Sequence, residues 1–213
     1  MSIWIFIGML FLVATIATSI IHYKLLKEYG LETFPYFLFF VLAGELTGVL
    51  LARIYHTNVV FYNIFTSIQT GYYLFLIQSS IVSVKIRRII VACACVFILA
   101  SVVNCFFIQN IRTELVSYTF TIGCLLITLS AMYFFYELLH SNKIENYATY
   151  PRFWIILGVF IFYTCNIPYM SVYNYLFVNF KTILNAYYKI IEILAYIMYV
   201  FFIIGIIWSS KRK

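Results

Sequence analysis

Three ionisable residues lie inside long apolar runs of this sequence: Glu45, Lys189 and Glu192. A charge in hydrocarbon costs roughly 2.5–3.5 kcal/mol on insertion scales, so such residues mark ligand sites, ion paths or proton relays, or they pair with each other. Lys189 and Glu192 are three residues apart, close enough to pair on one helix face. Glu45 lies between Gly44 and Gly48, a spacing that lets another helix approach closely. We therefore expect a binding site or a buried ion pair.

Helical spacing adds further candidate residues. Along the run from Asn185 to Tyr196, polar side chains at offsets of 4, 7 and 11 residues share one helical face. Asn166 comes just before Pro168, whose missing N–H would kink a helix and free a carbonyl. The predicted ligand-binding residues are Glu45, Asn63, Thr66, Thr70, Asn166, Asn185, Lys189, Glu192 and Tyr196.

The overall composition places these residues in a membrane protein. The chain is 65% hydrophobic and 10% charged, against roughly 45–50% and 25% in soluble domains. A soluble fold of this size cannot hide that much apolar surface. All seven acidic residues are Glu, so motifs that require Asp, such as Walker B and EF-hands, are excluded. No serine, histidine and acid arrangement for hydrolysis is visible, and we expect no enzymatic activity.

The apolar runs predict the fold. A membrane span needs about 20 mostly apolar residues, and seven runs qualify. We predict one all-α domain over residues 1–213, a polytopic membrane helix bundle with seven transmembrane helices. The connecting loops are short, so no separate soluble domain is expected. The predicted spans are Ile3–Ile21, Phe34–Ala52, Val59–Val82, Ile89–Phe107, Leu115–Leu139, Phe153–Phe177 and Ile183–Trp208.

Basic residues predict the orientation of this bundle, because lysine and arginine are retained on the cytoplasmic side. Ten of the 14 fall in the first, third and fifth loops and the C-terminal tail, whereas the other side holds three and Lys189 lies in the last span. We predict an outside N-terminus, an inside C-terminus and a multi-pass protein of the cell inner membrane. Membrane lipids are expected partners. Nucleic acid is not, because the basic residues do not cluster on one face.

This topology predicts where the polar residues meet. At 1.5 Å per residue, Glu45 and Glu192 lie on the order of 10–14 Å below the outer boundary, so spans two, three, six and seven enclose a polar pocket in the outer half. Two alternatives stay open: the charges neutralise one another in a structural cluster, or Lys189 extends unpaired to the outer interface. The five cysteines and three histidines lack metal-ligand spacing, and we predict no metal and no cofactor.

The last third of the sequence resembles a known group of proteins. The resemblance rests on the run Phe153–Gly158, on Phe162–Tyr163 with Asn166, and on the run Asn185–Tyr196. The group consists of orphan seven-helix integral membrane proteins of Bacteroidota, which are similar to the membrane sensor regions of histidine kinases but stand alone. The resemblance implies a membrane sensor or accessory subunit that passes a signal to a separately encoded protein partner.

Three functions follow as hypotheses. In the first, the chain is a receptor-like sensory module, in which a small molecule or lipid binds the outer pocket and shifts the balance between two helix packings. In the second, the polar residues line an ion or proton path through a channel or transporter, with a homo-oligomer as one form of the pore. In the third, the chain is a non-catalytic subunit, such as a defence-associated membrane effector. We favour the receptor, because the inner halves of spans three and seven hold few ionisable groups.

Overall fold

The computed structural model describes residues 3–112, 114–140 and 149–211, and within these ranges the chain is all-α. This confirms the all-α part of the predicted fold class. The described helices are α1 (Ile3–Ile21), α2 (Tyr23–Glu28), α3 (Phe34–Tyr55), α4 (Val59–Ser80), α5 (Val84–Phe107), α6 (Ser117–Leu139), α7 (Pro151–Asn179) and α8 (Lys181–Lys211).

Six of the described helices are long and apolar enough to cross a membrane: α1, α3, α5, α6, α7 and α8. Their length and composition identify a multi-pass membrane protein. Helix α4 has 22 residues but falls short in apolar character, because polar side chains recur along it. A count of seven spans therefore depends on α4. Between Asn63 and Thr70 its amide and aliphatic hydroxyl side chains are Asn63, Thr66, Ser67, Gln69 and Thr70.

Several helix ends differ from the predicted span ends, and at the start of α5 side chains satisfy terminal N–H groups beyond the apolar run. Helix α5 begins at Val84, five residues before the predicted span. The Ser83 hydroxyl accepts the Ile86 N–H at 3.5 Å, and the Glu137 carboxylate accepts the N–H groups of Val82 at 2.7 Å and Ser83 at 2.9 Å. The six-residue helix α2 was not predicted, because it is too short to give an apolar run.

Six helices form a closed ring in the order α1, α3, α4, α6, α7 and α8, and α8 packs back against α1. Helix α5 lies outside this ring and packs against α4 and α6. We call the end of the bundle at which α1, α4, α6 and α8 begin end I, and the opposite end, at which α3, α5 and α7 begin, end II.

Aromatic rings fill the centre of the ring of helices toward end II. Phe34 of α3 meets Phe202 of α8 edge-on at a centroid distance of 5.3 Å, and Tyr73 of α4 meets Tyr163 of α7 at 5.5 Å. All four side chains are buried. In a membrane such close packing, rather than exclusion of water, holds helices together.

End II is held together by the guanidinium of Arg152 at the start of α7. Its nitrogen atoms donate to the carbonyl oxygens of Tyr29 at 2.8 Å, Gly30 at 3.0 Å and Ser79 at 3.0 Å, and to the Ser80 hydroxyl at 2.9 Å. The planar fork of five donors suits several acceptors at once. Arg152 thus joins the turn before α3 to the end of α4, a role that its place among the topology-determining charges did not reveal.

End I is held together by the side-chain amide of Asn63 on α4. Its nitrogen donates to the carbonyl oxygens of Ile111 at 3.2 Å and Glu114 at 3.0 Å, and its oxygen accepts the Val116 N–H at 2.9 Å. A buried amide that makes three such bonds fixes the loop between α5 and α6 against α4.

Candidate functional site

Glu45 of α3 faces α4, where the Tyr62 hydroxyl donates a hydrogen bond to its carboxylate at 3.0 Å. Two glycines make room for this contact. A Cβ atom at Gly48 would lie 2.7 Å from the Tyr62 hydroxyl oxygen, and one at Gly44 would overlap the Phe65 ring. The Gly44–Gly48 pair therefore accommodates aromatic rings of α4, whereas the sequence suggested close approach of another helix.

Glu192 of α8 has the phenol of Tyr188, one turn earlier, as its polar neighbour. Lys189 interacts with Glu192 electrostatically, but its side chain is exposed. Among the described residues, no lysine or arginine nitrogen lies within 4.0 Å of the Glu45 or Glu192 carboxylate oxygens. The pairing of Lys189 with Glu192 that the spacing suggested is thus absent as a direct ion pair in the described part of the chain.

Glu45 and Glu192 lie at the same level of the bundle. Phe34 and Phe202 are in contact, and α3 and α8 are antiparallel. Eleven residues from this contact toward end I, α3 reaches Glu45 and α8 reaches the residue before Glu192. Tyr188 is within electrostatic range of both carboxylates. We call Glu45, Tyr62, Tyr188 and Glu192 the carboxylate cluster.

The contact between α1 and α8 stops just short of the carboxylate cluster, at the start of α1. The Tyr196 hydroxyl donates to the Trp4 carbonyl oxygen at the start of α1, and the Tyr196 ring stacks on Phe11 at 5.6 Å. Tyr196, a predicted ligand-binding residue, therefore joins α8 to α1. Beyond it toward end I, Tyr188 is 47% exposed and Lys189 is exposed as well, so this side of the cluster opens sideways between α3 and α8.

The remaining predicted residues satisfy backbone groups or face outward. The Thr66 hydroxyl donates to the Tyr62 carbonyl at 2.7 Å, and the Thr70 hydroxyl donates to the Thr66 carbonyl at 2.9 Å. Asn166, which is buried, donates to the Phe162 carbonyl at 2.9 Å. Asn185 is exposed. These side chains and Asn63 are not brought together with the two carboxylates in one pocket.

Sequence reasoning missed Tyr62 and Tyr188, the phenols that touch the carboxylates. The chain has 20 tyrosines, and composition gives no reason to choose two of them. A signal for Tyr62 was nevertheless present, because it lies one turn before Thr66 on the polar face of α4. Tyr188 also lies one turn before Glu192, a spacing that places their side chains together on a helix.

The described residues form two cavities that are not lined by residues of the carboxylate cluster. A groove of about 260 Å³ runs between α3 and α4. A smaller cavity of about 70 Å³ at end I is lined in part by Glu114, Tyr173 and Asn174. Within the described ranges, no group of three or more histidine, cysteine or acidic side chains could hold a metal ion.

The arrangement suits a ligand that donates hydrogen bonds. Each carboxylate has several acceptor positions, and a neighbouring phenol occupies one. No protein-family model matches the chain, and no curated protein or solved structure matches it. The chemistry of the cluster is therefore the basis for a functional assignment.

Proposed function

We propose that the chain is a receptor-like membrane sensory module that binds a small molecule or lipid at the carboxylate cluster and signals to a separately encoded protein. The supporting observation is that Tyr188 is within electrostatic range of both Glu45 and Glu192, and that no basic nitrogen lies within 4.0 Å of either carboxylate among the described residues. Acids that lie inside a bundle without a direct ion pair are costly. A ligand that supplies hydrogen-bond donors or positive charge offsets that cost.

The proposal includes a seven-span topology with α4 as the third span, end I outside and end II inside the inner membrane. Helix α3 ends at end I, and α5 begins at end II. Connections of three residues at each end of α4 leave α4 itself to cross between them. Its polar face does not prevent this, since Asn63 and the hydroxyls bond to backbone carbonyls.

Helix α3 offers a route from the cluster to end II. Its start follows the turn at Tyr29 and Gly30, which Arg152 ties to the end of α4. A shift of α3 on ligand binding would strain these hydrogen bonds of Arg152, which we call the guanidinium clamp. A partner protein bound to the basic loops of end II would then respond to the change. Such a ligand must bind the two packings with different affinity.

The channel or transporter alternative has less support. The centre of the bundle toward end II is filled by packed rings, among them the buried Phe34, Phe202 and Tyr163. A polar path that starts at Glu45 would have to pass through them.

Native mass spectrometry tests the proposed function. The parent protein, purified in mild detergent, is expected to retain a small-molecule or lipid adduct that Glu45→Gln and Glu192→Gln both lose. Glu32→Gln, which changes an exposed acid at end II, is expected to keep it. A parent protein without an adduct that depends on these two carboxyl groups contradicts the proposal.

A further inference from the structure

Lys189 lies at the side opening of the carboxylate cluster. It comes three residues before Glu192 on α8, and its side chain is exposed. The neighbouring Tyr188, a member of the cluster, is 47% exposed on the same side. Of the three charged residues in the apolar runs of the sequence, Lys189 is the one outside the cluster.

The Lys189 ammonium can reach the Glu192 carboxylate without a movement of the backbone. The two groups attract each other, but no direct ion pair joins them within 4.0 Å in this part of the chain. Residues three apart on a helix have Cβ atoms about 5–6 Å apart, and the lysine stem is flexible over four carbons. A change of side-chain rotamer is therefore enough to form the pair.

Glu192 has acceptor positions for this ammonium. A carboxylate accepts several hydrogen bonds, and the polar neighbour of Glu192 is a single phenol one turn earlier. The other ionisable groups that interact with Glu192 are phenols as well, and phenols are neutral at neutral pH. Lys189 thus supplies the opposite charge. The phenols are Tyr169 of α7 and Tyr188 and Tyr196 of α8.

A second position is open to the same ammonium. Side chains on a helix lean toward its N-terminus, and α8 begins at end I. In the proposed topology the lysine stem then points to the outer boundary of the membrane, where the ammonium is hydrated. Ion pairs between partly exposed groups are weak, so a ligand that offers donors to Glu192 can displace the lysine.

We infer that Lys189 is a tethered counter-ion of the carboxylate cluster, which alternates between Glu192 and the boundary at end I. A ligand at the cluster competes with the approach of the ammonium to Glu192. The inference rests on the proposed function and describes the regulation of the same site. Because the lysine occupies Glu192 for part of the time, it lowers the apparent affinity for the ligand.

Initial rates of labelling by dicyclohexylcarbodiimide test the inference with a defined reagent. The reagent attacks protonated carboxyl groups within the membrane, and an ammonium at Glu192 keeps that acid ionised. In Lys189→Met we expect Glu192 to be labelled about 2- to 5-fold faster, the factor that a partly exposed ion pair is worth. Glu45, which is on α3 and bonds to Tyr62, should keep about its parent rate.

Two matched variants separate the tethered charge from other effects of substitution. Lys189→Arg keeps the charge and should label Glu192 at about the parent rate. Lys181→Met removes another lysine of α8, whose ammonium lies over the Phe177 ring at 5.7 Å, and should also leave the rate unchanged. Variants are compared at equal unfolding midpoints in detergent, and Lys189→Gln replaces Lys189→Met if that variant unfolds.

The outcomes distinguish the inference from the proposed function. An unchanged rate at Glu192 in Lys189→Met, or an equal rise in Lys181→Met, overturns the inference and leaves the adduct experiment to decide the proposed function. A faster rate together with a larger fraction of chains that retain the adduct supports competition with the ligand. A faster rate without that increase overturns the competition. An adduct that does not depend on Glu45 and Glu192 contradicts the proposed function itself.

Discussion

At the scale of single residues, each costly polar group of the bundle has a particular neighbour. The Glu45 carboxylate meets Tyr62 at 3.0 Å, and Arg152 distributes its donors over backbone carbonyls and serine hydroxyls at end II. Neither contact follows from residue type alone. A sequence shows that a charged residue lies in an apolar run, but it does not show which backbone carbonyl accepts its hydrogen bond.

The contact between Glu45 and Tyr62 predicts coupling between two substitutions. Gly48→Ala places a Cβ 2.7 Å from the Tyr62 hydroxyl oxygen, so it should displace the hydroxyl that Tyr62→Phe removes. We expect each variant to lose about 1–2 kcal/mol of unfolding free energy, and the double variant to lose less than their sum. Unfolding in mixed micelles of rising denaturing-detergent content measures this. Gly71→Ala, whose Cβ has no atom within 4 Å outside its own stretch of α4, is the control and should be neutral or slightly stabilising. Strict additivity contradicts the contact.

The guanidinium clamp predicts that Arg152→Lys is not conservative. A lysine carries the same charge but cannot reach four separate acceptors with one ammonium group. We expect a loss of about 2–3 kcal/mol of unfolding free energy, measured by the same unfolding assay. Arg88→Lys, an exposed arginine of α5, should change stability by less than about 0.5 kcal/mol. An equal effect of the two substitutions contradicts the clamp.

At the scale of elements, apolar runs predicted the long helices well, because a span of hydrocarbon requires a run of fixed length. The ends were predicted less well. Helix α8 extends from Lys181 to Lys211, beyond the predicted run on both sides. Hydropathy identifies the residues that lie in hydrocarbon, and a helix can continue past them. The candidate site was predicted only in part: the two carboxylates do lie at one level, but helical faces could not show that Tyr196 and Asn166 bond elsewhere.

The Asn63 amide predicts the behaviour of the loop between α5 and α6. Asn63→Leu removes three hydrogen bonds to that loop, so amide hydrogens around residues 110–118 should exchange faster with solvent. Hydrogen exchange followed by mass spectrometry measures this, and peptides from α1, which packs against α3 and α8, should be unaffected. Ser67→Ala, which removes a bond within α4, should leave the loop unchanged. Unaltered exchange in Asn63→Leu contradicts the role of the amide.

At the scale of the whole molecule, the ring of six helices with α5 outside it is consistent with seven spans, although α4 alone would not identify itself as one. Asn63 bonds to the loop between α5 and α6, and the Thr66 and Thr70 hydroxyls bond to carbonyl oxygens of α4 itself, so these polar groups are satisfied within the protein. Hydropathy averages over all faces of a helix and therefore underestimates a span that is polar on one face.

Cysteine accessibility tests this topology. In a background without native cysteines, Thr57→Cys should react with a membrane-impermeant maleimide in cells whose outer membrane is permeabilised and whose inner membrane is intact. Lys85→Cys should react only after lysis. Thr57 lies before the start of α4 and Lys85 lies after its end, so a crossing α4 places them on opposite sides. Labelling of both positions from the same side contradicts the seven-span topology.

The central claim is that Glu45 and Glu192 belong to one site, and a hydrophobic carbodiimide tests it most directly. Such a reagent modifies carboxyl groups from within the membrane, and its bulk would fill a shared site. We predict that intact chains carry the label at Glu45 or at Glu192 but not at both, that Glu45→Gln and Glu192→Gln each still accept one label, and that the double variant accepts none at these positions. Doubly labelled chains at the frequency expected for independent reactions would show two separate sites and contradict the account.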